Sequence, residues 1–346
     1  MTTGPEPAAP IACPNCGRAV SATDTFCEGC RTELAPTAAS GDAPVTTAEC
    51  AFCHAEQVTA DGYCESCGRK VPSSRDHMEL DLGLLAGVTD KGLRHARNED
   101  AMALATAESA SGPAEVAVVC DGVSSSRRPD EASLAAVQAA VRVLLAGVRA
   151  GEDPAETSQA AVAAAQQALA GLDEPGAGDP PSATFVSAVM TTETVTLCWL
   201  GDSRAYWLGS GTGSDAKRLT RDDSVAEEMV EAGLVSEADA MALPGAHVVT
   251  GWVGADSPGA PPHVTTFTPP GPGVLLLCSD GLWNYQPEAA DLAALALPGA
   301  LSDPLGTAAA LVKFALEAGG ADNITVVLTR FPPGAPNSEE KPAAER

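Results

Sequence analysis

The chain has 346 residues, 20 Lys+Arg against 46 Asp+Glu, a formal charge of −26 and only 4% aromatic residues. A surface so negative repels phosphate backbones and anionic lipid, which argues against nucleic acid and membrane surfaces as partners and favours divalent cations. The length allows one sizeable core plus something smaller, or two domains, and the scarcity of rings means that core is built from Val, Leu and Ala.

No early segment has the basic start and apolar run of a signal peptide, and no uncharged apolar stretch approaches the roughly 20 residues that span a bilayer. The sequence therefore reads as cytoplasmic, where cysteines stay reduced. Eight of the eleven cysteines precede residue 70, in two matched copies: CPNCGRAVSATDTFCEGC (13–30) and CAFCHAEQVTADGYCESC (50–67). Each copy is CxxC, ten residues, CxxC. Zinc prefers four thiolates in a tetrahedron, and two such knuckles close one structural site. The expectation is one Zn²⁺ on Cys13, Cys16, Cys27 and Cys30 and a second on Cys50, Cys53, Cys64 and Cys67; cysteine pairs crossing between the modules satisfy the spacing equally. Disulfides, a dithiol redox site and thiolate-bound iron are weaker readings of a doubled, matched pattern. His54 is most simply a knuckle residue, because four sulfurs already fill the sphere. Modules this short bury no core, so metal binding is expected to fold them. Together they resemble the double zinc ribbon. Four Lys/Arg against nine Asp/Glu in residues 1–72 favour protein contact over nucleic-acid contact.

Along the chain, residues 11–71 hold the two modules, joined by the linker TELAPTAASGDAPVTTAE. A second linker is expected at 72–80, one large domain at 81–331 and a disordered tail at 332–346, which has too little apolar surface to fold alone. Within the domain, 130–151, 154–172, 224–233 and 303–320 read as helices, the first two acidic at their starts and ending at glycine. TFVSAVM (184–190), TVTLCWLG (194–201) and RAYWLG (204–209) read as a meander of antiparallel strands, with further strands at 274–278 and 323–330. Strands outnumber helices without regular βαβ alternation. The fold class expected is α+β, antiparallel sheet layers covered by helices.

Acidic residues recur at the edges of the apolar strands: RNEDAM (97–102), CDG (120–122), GDSR (201–204), SDG (279–281) and ADN (321–323). Any one alone reads first as a turn, and Asp-Gly in particular as a tight primed turn with positive φ. Five in one domain read as ligands. Separated carboxylates without a histidine cluster suit Mg²⁺ or Mn²⁺ rather than zinc.

With these motifs in view, residues 85–330 resemble the bacterial branch of the metal-dependent PP2C-type protein phosphatases. RHARNEDAM, VVCDGVSSS, SATFVSAVM, WLGDSRAYWL, RLTRDDSVAEEMVEAG, LLLCSDGLWN and GGADNITVV occur in the family's order. The resemblance implies a four-layer αββα sandwich, and it implies roles for individual residues. Asp121 bridges two cations, with the Gly122 carbonyl assisting one; Asp280 and Asp322 hold the first cation, and Asp100 reaches it through water. Glu99 acts similarly at the second, Asp202 and Asp280 frame a weaker third, and Asn323 supports them. The implied reaction is direct attack of a metal-activated water on phosphoserine or phosphothreonine, without a phosphoenzyme. The implied partners are phosphorylated proteins, including Ser/Thr kinases and their targets, met by a monomer.

Three positions depart from the family pattern. His95 stands where many members carry a phosphate-gripping arginine, with Arg94 and Arg97 alongside to take the charge role. Val123 follows Asp-Gly where animal relatives often have a histidine. Asp223 in RDDS replaces a histidine ahead of a helical flap. A cysteine-based phosphatase fails on spacing, since six residues separate Cys120 from Arg127. Cys120, Cys198 and Cys278 read as inert core residues, and GSGTGSDAK (209–217) as a mobile hairpin loop rather than a phosphate loop. A scaffold that keeps the fold without catalysis, acting through its zinc module, and a hydrolase of small phosphoesters are the competing functions. Retention of every expected carboxylate favours catalysis on proteins.

Overall fold

In the computed structural model, the residues described are 11–12, 19–20, 38–40, 53, 64–67, 71, 73–109, 111–173, 178–210, 216–240, 243, 245–257, 259 and 261–334. The chain divides into two compact units, Met1–Ala38 and Ala39–Arg346. In the first, strands β1 (Ile11–Ala12) and β2 (Ala19–Val20) pair antiparallel, so in sequence they bracket the CPNC knuckle. Residues Ala38–Ser40 form β3. Cys13, Cys16, Cys27, Cys30 and Cys50, the tail 335–346 and loop residues 211–215 lie outside the described residues.

The large domain starts earlier than its sequence suggests. The expected linker 72–80 contains a 3-10 turn, Ser74–Asp76, capped by the Ser73 side chain, and then β4 (His77–Asp81). Its alternating polar pattern hid β4, which is an edge strand with one neighbour, β5 (Leu85–Asp90). The remaining elements follow in order: β6 (Asp100–Ser109), β7 (Gly112–Asp121), α1 (Pro129–Ala150), α2 (Pro154–Ala170), β8 (Ser182–Ala183), β9 (Phe185–Met190), β10 (Val195–Leu200), β11 (Arg204–Gly209), β12 (Lys217–Arg218), α3 (Val225–Glu231), α4 (Glu237–Ala240), β13 (Val253–Gly254), β14 (His263–Phe267), β15 (Gly273–Cys278), α5 (Asp280–Trp283), α6 (Ala289–Ala300), α7 (Pro304–Ala318) and β16 (Ile324–Phe331).

Two antiparallel sheets result. One runs β14-β10-β9-β7-β6-β3 and the other β12-β11-β15-β16-β5-β4. Side chains on a strand alternate between faces, and here both faces are buried. On β15, Leu275 and Leu277 join Trp207 and Val327 in the core between the sheets. Val274, Leu276 and Cys278 turn the other way, into a second core with Leu292 of α6 and Leu311 of α7. That is why GVLLLC is apolar throughout instead of alternating. Helix α1 buries Ala132, Ala136, Val137, Ala140 and Leu144 at helical spacing. By length and composition α1 could cross a bilayer, contrary to the sequence reading, yet 61% of its most apolar window is buried inside the domain. It is a core helix. The observed αββα sandwich matches the expected fold class.

The expected three-strand meander is broken at its second turn. β9 and β10 pair, but β11 crosses to the other sheet and pairs with β15. The crossing occurs at Gly201, whose φ of +103 only glycine adopts readily. Strand β14 and helix α6 were not anticipated: HVTTF is short and polar, and Pro298 sits inside α6.

Candidate metal centre

The five acidic motifs come together at one end of the sandwich because antiparallel neighbours place the start of one strand beside the end of the next. Asp100 opens β6 and Asp121 closes β7, and the two are register partners. Asp280 follows β15 and Asp322 precedes β16, its antiparallel partner. Asp202 sits in the corner where the chain changes sheets. Two of the five, Asp100 and Asp322, therefore stand at strand starts and the others at or beyond strand ends.

Asp100 bolts the sheets together. It is fully buried, and its Oδ2 accepts hydrogen bonds from Ser279 Oγ at 2.6 Å and Thr325 Oγ1 at 2.7 Å, both from the opposite sheet. Its other oxygen, Oδ1, is buried without a hydrogen-bond partner, and so is Asp280 Oδ1. Orphaned buried carboxylate oxygens are rare and need an explanation. Burial raises the Asp100 carboxyl to about 6, with Asp322 adding to the rise. Burial and then Asp222 push Asp202 up to about 7. Asp121 and Asp280 are driven well above the carboxylate range, by burial first and then by the neighbouring acids. Such a set stays ionised at neutral pH only beside positive charge. Hard divalent cations bind oxygen donors of this kind, so the residues fit the Mg²⁺ or Mn²⁺ expected.

Glu99 accepts a hydrogen bond from Ser124 Oγ at 2.5 Å and faces Arg97 Nε at 3.6 Å. Its backbone N–H donates to Asn323 Oδ1 at 2.8 Å, while Asn323 Nδ2 donates to the carbonyls of Lys91 and Arg97. The Asn323 side chain is thus committed to holding the 91–99 loop, and the supporting role suits it better than cofactor contact. The two Asp-Gly glycines do not serve primed turns, since neither has positive φ. They permit close backbone approach. A Cβ at Gly122 would lie 2.3 Å from the Pro129 carbonyl oxygen, and one at Gly281 would lie 1.9 Å from that of Asn323.

His95 does not stand apart as a lone phosphate grip: its Nε2 lies 3.1 Å from Asp322 Oδ1. Arg97 pairs with Asp130 at 3.1 Å as well as with Glu99. In the RDDS stretch, Asp222 binds the buried Arg204, whose guanidinium lies 3.6 Å from the Trp283 ring centroid. Trp283 Nε1 in turn donates to the Asp202 carbonyl at 2.9 Å.

The supporting hydroxyls escaped the sequence reading. Ser279 and Thr325 orient Asp100, and Thr184 Oγ1 accepts the Asp121 N–H at 3.1 Å while bonded to Ser203 Oγ at 2.8 Å. Their signal was present, for each hydroxyl stands within three residues of an acid or inside a quoted motif.

Away from this centre, the Sγ atoms of Cys53, Cys64 and Cys67 lie within 4.8 Å of one another. The Cys53 to Cys64 distance is 3.4 Å, too long for a disulfide. Hydrogen bonding, chiefly from the Cys67 backbone, lowers the Cys64 thiol to about 6, which favours the thiolate that zinc requires. Three of the four ligands expected at the second module are therefore together. Cys120, Cys198 and Cys278 are buried in strands, and burial raises all three thiols, Cys198 to about 12.

Comparison with known proteins agrees with this geometry. The family model described as protein phosphatase 2C matches residues 93–296, a span that includes Asp100, Asp121, Asp202 and Asp280. The serine/threonine phosphatase stp of Listeria welshimeri is 35% identical over 147 residues, 42% of this chain and 55% of that protein. The chain spans about half the length of the curated relatives it matches. A Streptococcus agalactiae serine/threonine phosphatase structure superposes with a TM-score of 0.59 at 22% identity, covering 73% of this chain and 99% of that one. The catalytic domain of the serine threonine protein phosphatase PstP, in complex with 2 manganese ions, does so with a TM-score of 0.55 at 25% identity, covering 71% and 97%. With a family match over more than half its length and the αββα architecture to go with it, the chain belongs to the protein phosphatase 2C family.

Proposed function

We propose that this chain is a Mn²⁺- or Mg²⁺-dependent phosphatase acting on phosphoserine and phosphothreonine in proteins. The observation that carries the reading is the pair of buried, unpartnered oxygens, Asp100 Oδ1 and Asp280 Oδ1, within a cluster of mutually repelling acids. Uncompensated burial of so many carboxylates is costly, and cations remove the cost. In this reading two cations would be held chiefly by Asp121, Asp280 and Asp322, with the Gly122 carbonyl assisting one of them and Asp100 and Glu99 supporting the pair. Asp202 with Asp280 frames a weaker third. Two such ions, when bound, acidify a shared water and screen the phosphoryl oxygens.

The protein's own groups fix the arrangement. Ser279 and Thr325 set the orientation of Asp100, Thr184 holds the Asp121 backbone, and Asn323 anchors the loop that carries Glu99. Positioning of this kind supplies most of the acceleration in phosphoryl transfer. Val123 offers no proton, so the departing seryl oxygen takes its proton from water. Arg94, exposed on the same loop, takes the phosphate-gripping role in this proposal, and His95, with Nε2 3.1 Å from Asp322 Oδ1, positions that carboxylate.

Cys50, Cys53, Cys64 and Cys67 hold one structural Zn²⁺ in this proposal, and Cys13, Cys16, Cys27 and Cys30 a second; the modules recruit or regulate. Phosphorylated proteins, Ser/Thr kinases among them, are the proposed partners of a cytoplasmic monomer. Presence of the full acid set weighs against a non-catalytic scaffold. The test is hydrolysis of a phosphothreonine peptide by the full chain with Mn²⁺. Turnover should be abolished by EDTA and nearly eliminated in Asp280→Asn. Equal rates for wild type and Asp280→Asn would refute the assignment.

A further inference from the structure

The loop that replaces the family's histidine with Asp223 is tied to the acidic cluster by a reciprocal clamp. Gly201 N–H donates to Asp223 Oδ2 at 2.9 Å, and Asp223 N–H donates back to the Gly201 carbonyl at 2.9 Å. Gly201 is the residue before Asp202. The second carboxylate oxygen, Oδ1, meets His263 Nε2 at 2.8 Å. His263 comes from edge strand β14 and stacks on Trp199, with ring centroids 4.9 Å apart. Trp199 Nε1 donates to the Arg221 carbonyl at 2.7 Å, two residues before Asp223. The clamp is therefore braced from behind by a histidine that the sequence places 40 residues away.

Asp223 also closes the base of the flap that holds α3 and α4. Thr250 N–H donates to the Asp223 carbonyl at 2.8 Å, Val225 N–H donates to the Val248 carbonyl at 3.0 Å, and Ser224 bridges Val249. Both ends of the flap are thus zipped along residues 223–225 and 248–250, and the side chain of Asp223, at the base of that zip, holds the corner carrying Asp202. On the far side of the same corner, Trp283 donates to the Asp202 carbonyl and stacks on His247 of the flap at 6.1 Å. The backbone around Asp202 is gripped from two sides, each connected to the flap.

From this geometry we infer that Asp223, braced by His263, is a positioning residue: it fixes Asp202 in the metal-binding cluster and couples that placement to the flap. The inference rests on the proposed metal-dependent reading. Asp223 touches neither substrate nor cation. It acts by holding the Gly201 amide, a task for one acceptor oxygen, while the other oxygen engages His263. Asparagine keeps the acceptor for Gly201 and replaces the second oxygen with an N–H₂ that a neutral imidazole nitrogen accepts, so Asp223→Asn retains both contacts. Alanine retains neither.

The test is calorimetric titration of Mn²⁺ into the metal-free full chain, with thermal unfolding and peptide hydrolysis alongside, for wild type, Asp223→Ala, Asp223→Asn and His263→Ala. In Asp223→Ala the weakest resolved Mn²⁺ binding event should weaken at least tenfold, and the Mn²⁺ concentration for half-maximal hydrolysis should rise by a similar factor. Asp223→Asn should restore both to within about threefold of wild type, and His263→Ala should fall between. Should Asp223→Ala fail to fold, His263→Ala and Asp223→Asn decide the matter by the same isotherms. An unchanged Mn²⁺ isotherm in a folded Asp223→Ala, or in His263→Ala when it alone folds, overturns the inference and leaves the phosphatase reading standing. Absence of Mn²⁺ binding in the wild type overturns both.

Discussion

Glu115 offers a measurement of what burying an acid costs this fold without any involvement of the metal centre. It lies on β7 six residues before Asp121, about 20 Å along the strand at 3.3 Å per residue. It is 6% exposed, and Thr329 Oγ1 donates to its Oε2. Burial raises its carboxyl from 4.5 to about 7, and the bond from Thr329 and the charge of Arg330 offset part of the rise. The unfolded chain ionises this group near 4.5, whereas the folded chain keeps it protonated until about 7. Between those values the unfolded state binds fewer protons, so stability falls as pH rises and the loss is complete above the folded value. A rise of this size corresponds to about 3 kcal/mol at 1.36 kcal/mol per unit. Glu115→Gln stays neutral and should escape the penalty, gaining up to about 3 kcal/mol over wild type on going from pH 5 to pH 8. That gain corresponds to roughly 6–12 °C in Tm for a domain of this size. Urea unfolding with saturating Mn²⁺, which removes the contribution of the Asp cluster, gives the comparison. Parallel stability-versus-pH curves for the two proteins would refute the reasoning.

The metal-free protein should itself gain stability as pH falls from 8 toward 6, because burial first and neighbouring acids second raise Asp202 and Asp100 to about 7 and 6, and protonation relieves both costs; Mn²⁺ should flatten that dependence in thermal scans. Gly281→Ala places a Cβ 1.9 Å from the Asn323 carbonyl oxygen, and should cost on the order of 3 kcal/mol or more and abolish hydrolysis, as read by circular dichroism and peptide assay. Thr325→Val removes one of the two hydroxyls on Asp100 Oδ2, and should raise the Mn²⁺ requirement while leaving the peptide KM unchanged at saturating metal. Cys64→Ala should lower zinc content from two ions to one per chain by elemental analysis, and a content unchanged at two would remove Cys64 from the site.

The acids were legible because each stands at the edge of an apolar strand, and an uncompensated carboxylate at such an edge needs a reason. The groups that make them a site were harder to see. Ser279 and Thr325 are ordinary residues by composition, and only the crossing of two sheets places both hydroxyls on Asp100. The break in the meander depends on one glycine, Gly201, with a backbone angle that a strand propensity does not encode. The Asp-Gly pairs misled in an instructive way. The glycines are required, but for close approach to a carbonyl across the fold rather than for a local turn, and a tertiary contact leaves no local trace.

The same limit explains the third departure from the family pattern. Asp223 alone reads as a lost histidine, a subtraction that leaves the flap's base with one more negative charge. His263 lies on β14, a strand absent from the sequence reading, and it returns an imidazole to that position from the other side. The pair is a hydrogen-bonded contact supplied from across an interface rather than removed. Had His263 been apolar, Asp223 Oδ1 would lose its hydrogen-bond partner on that side, and the clamp on the corner that carries Asp202 would lose its brace. The compensation lies 40 positions away and on a different element, so a residue-by-residue comparison with the family registers a defect where the fold holds a brace.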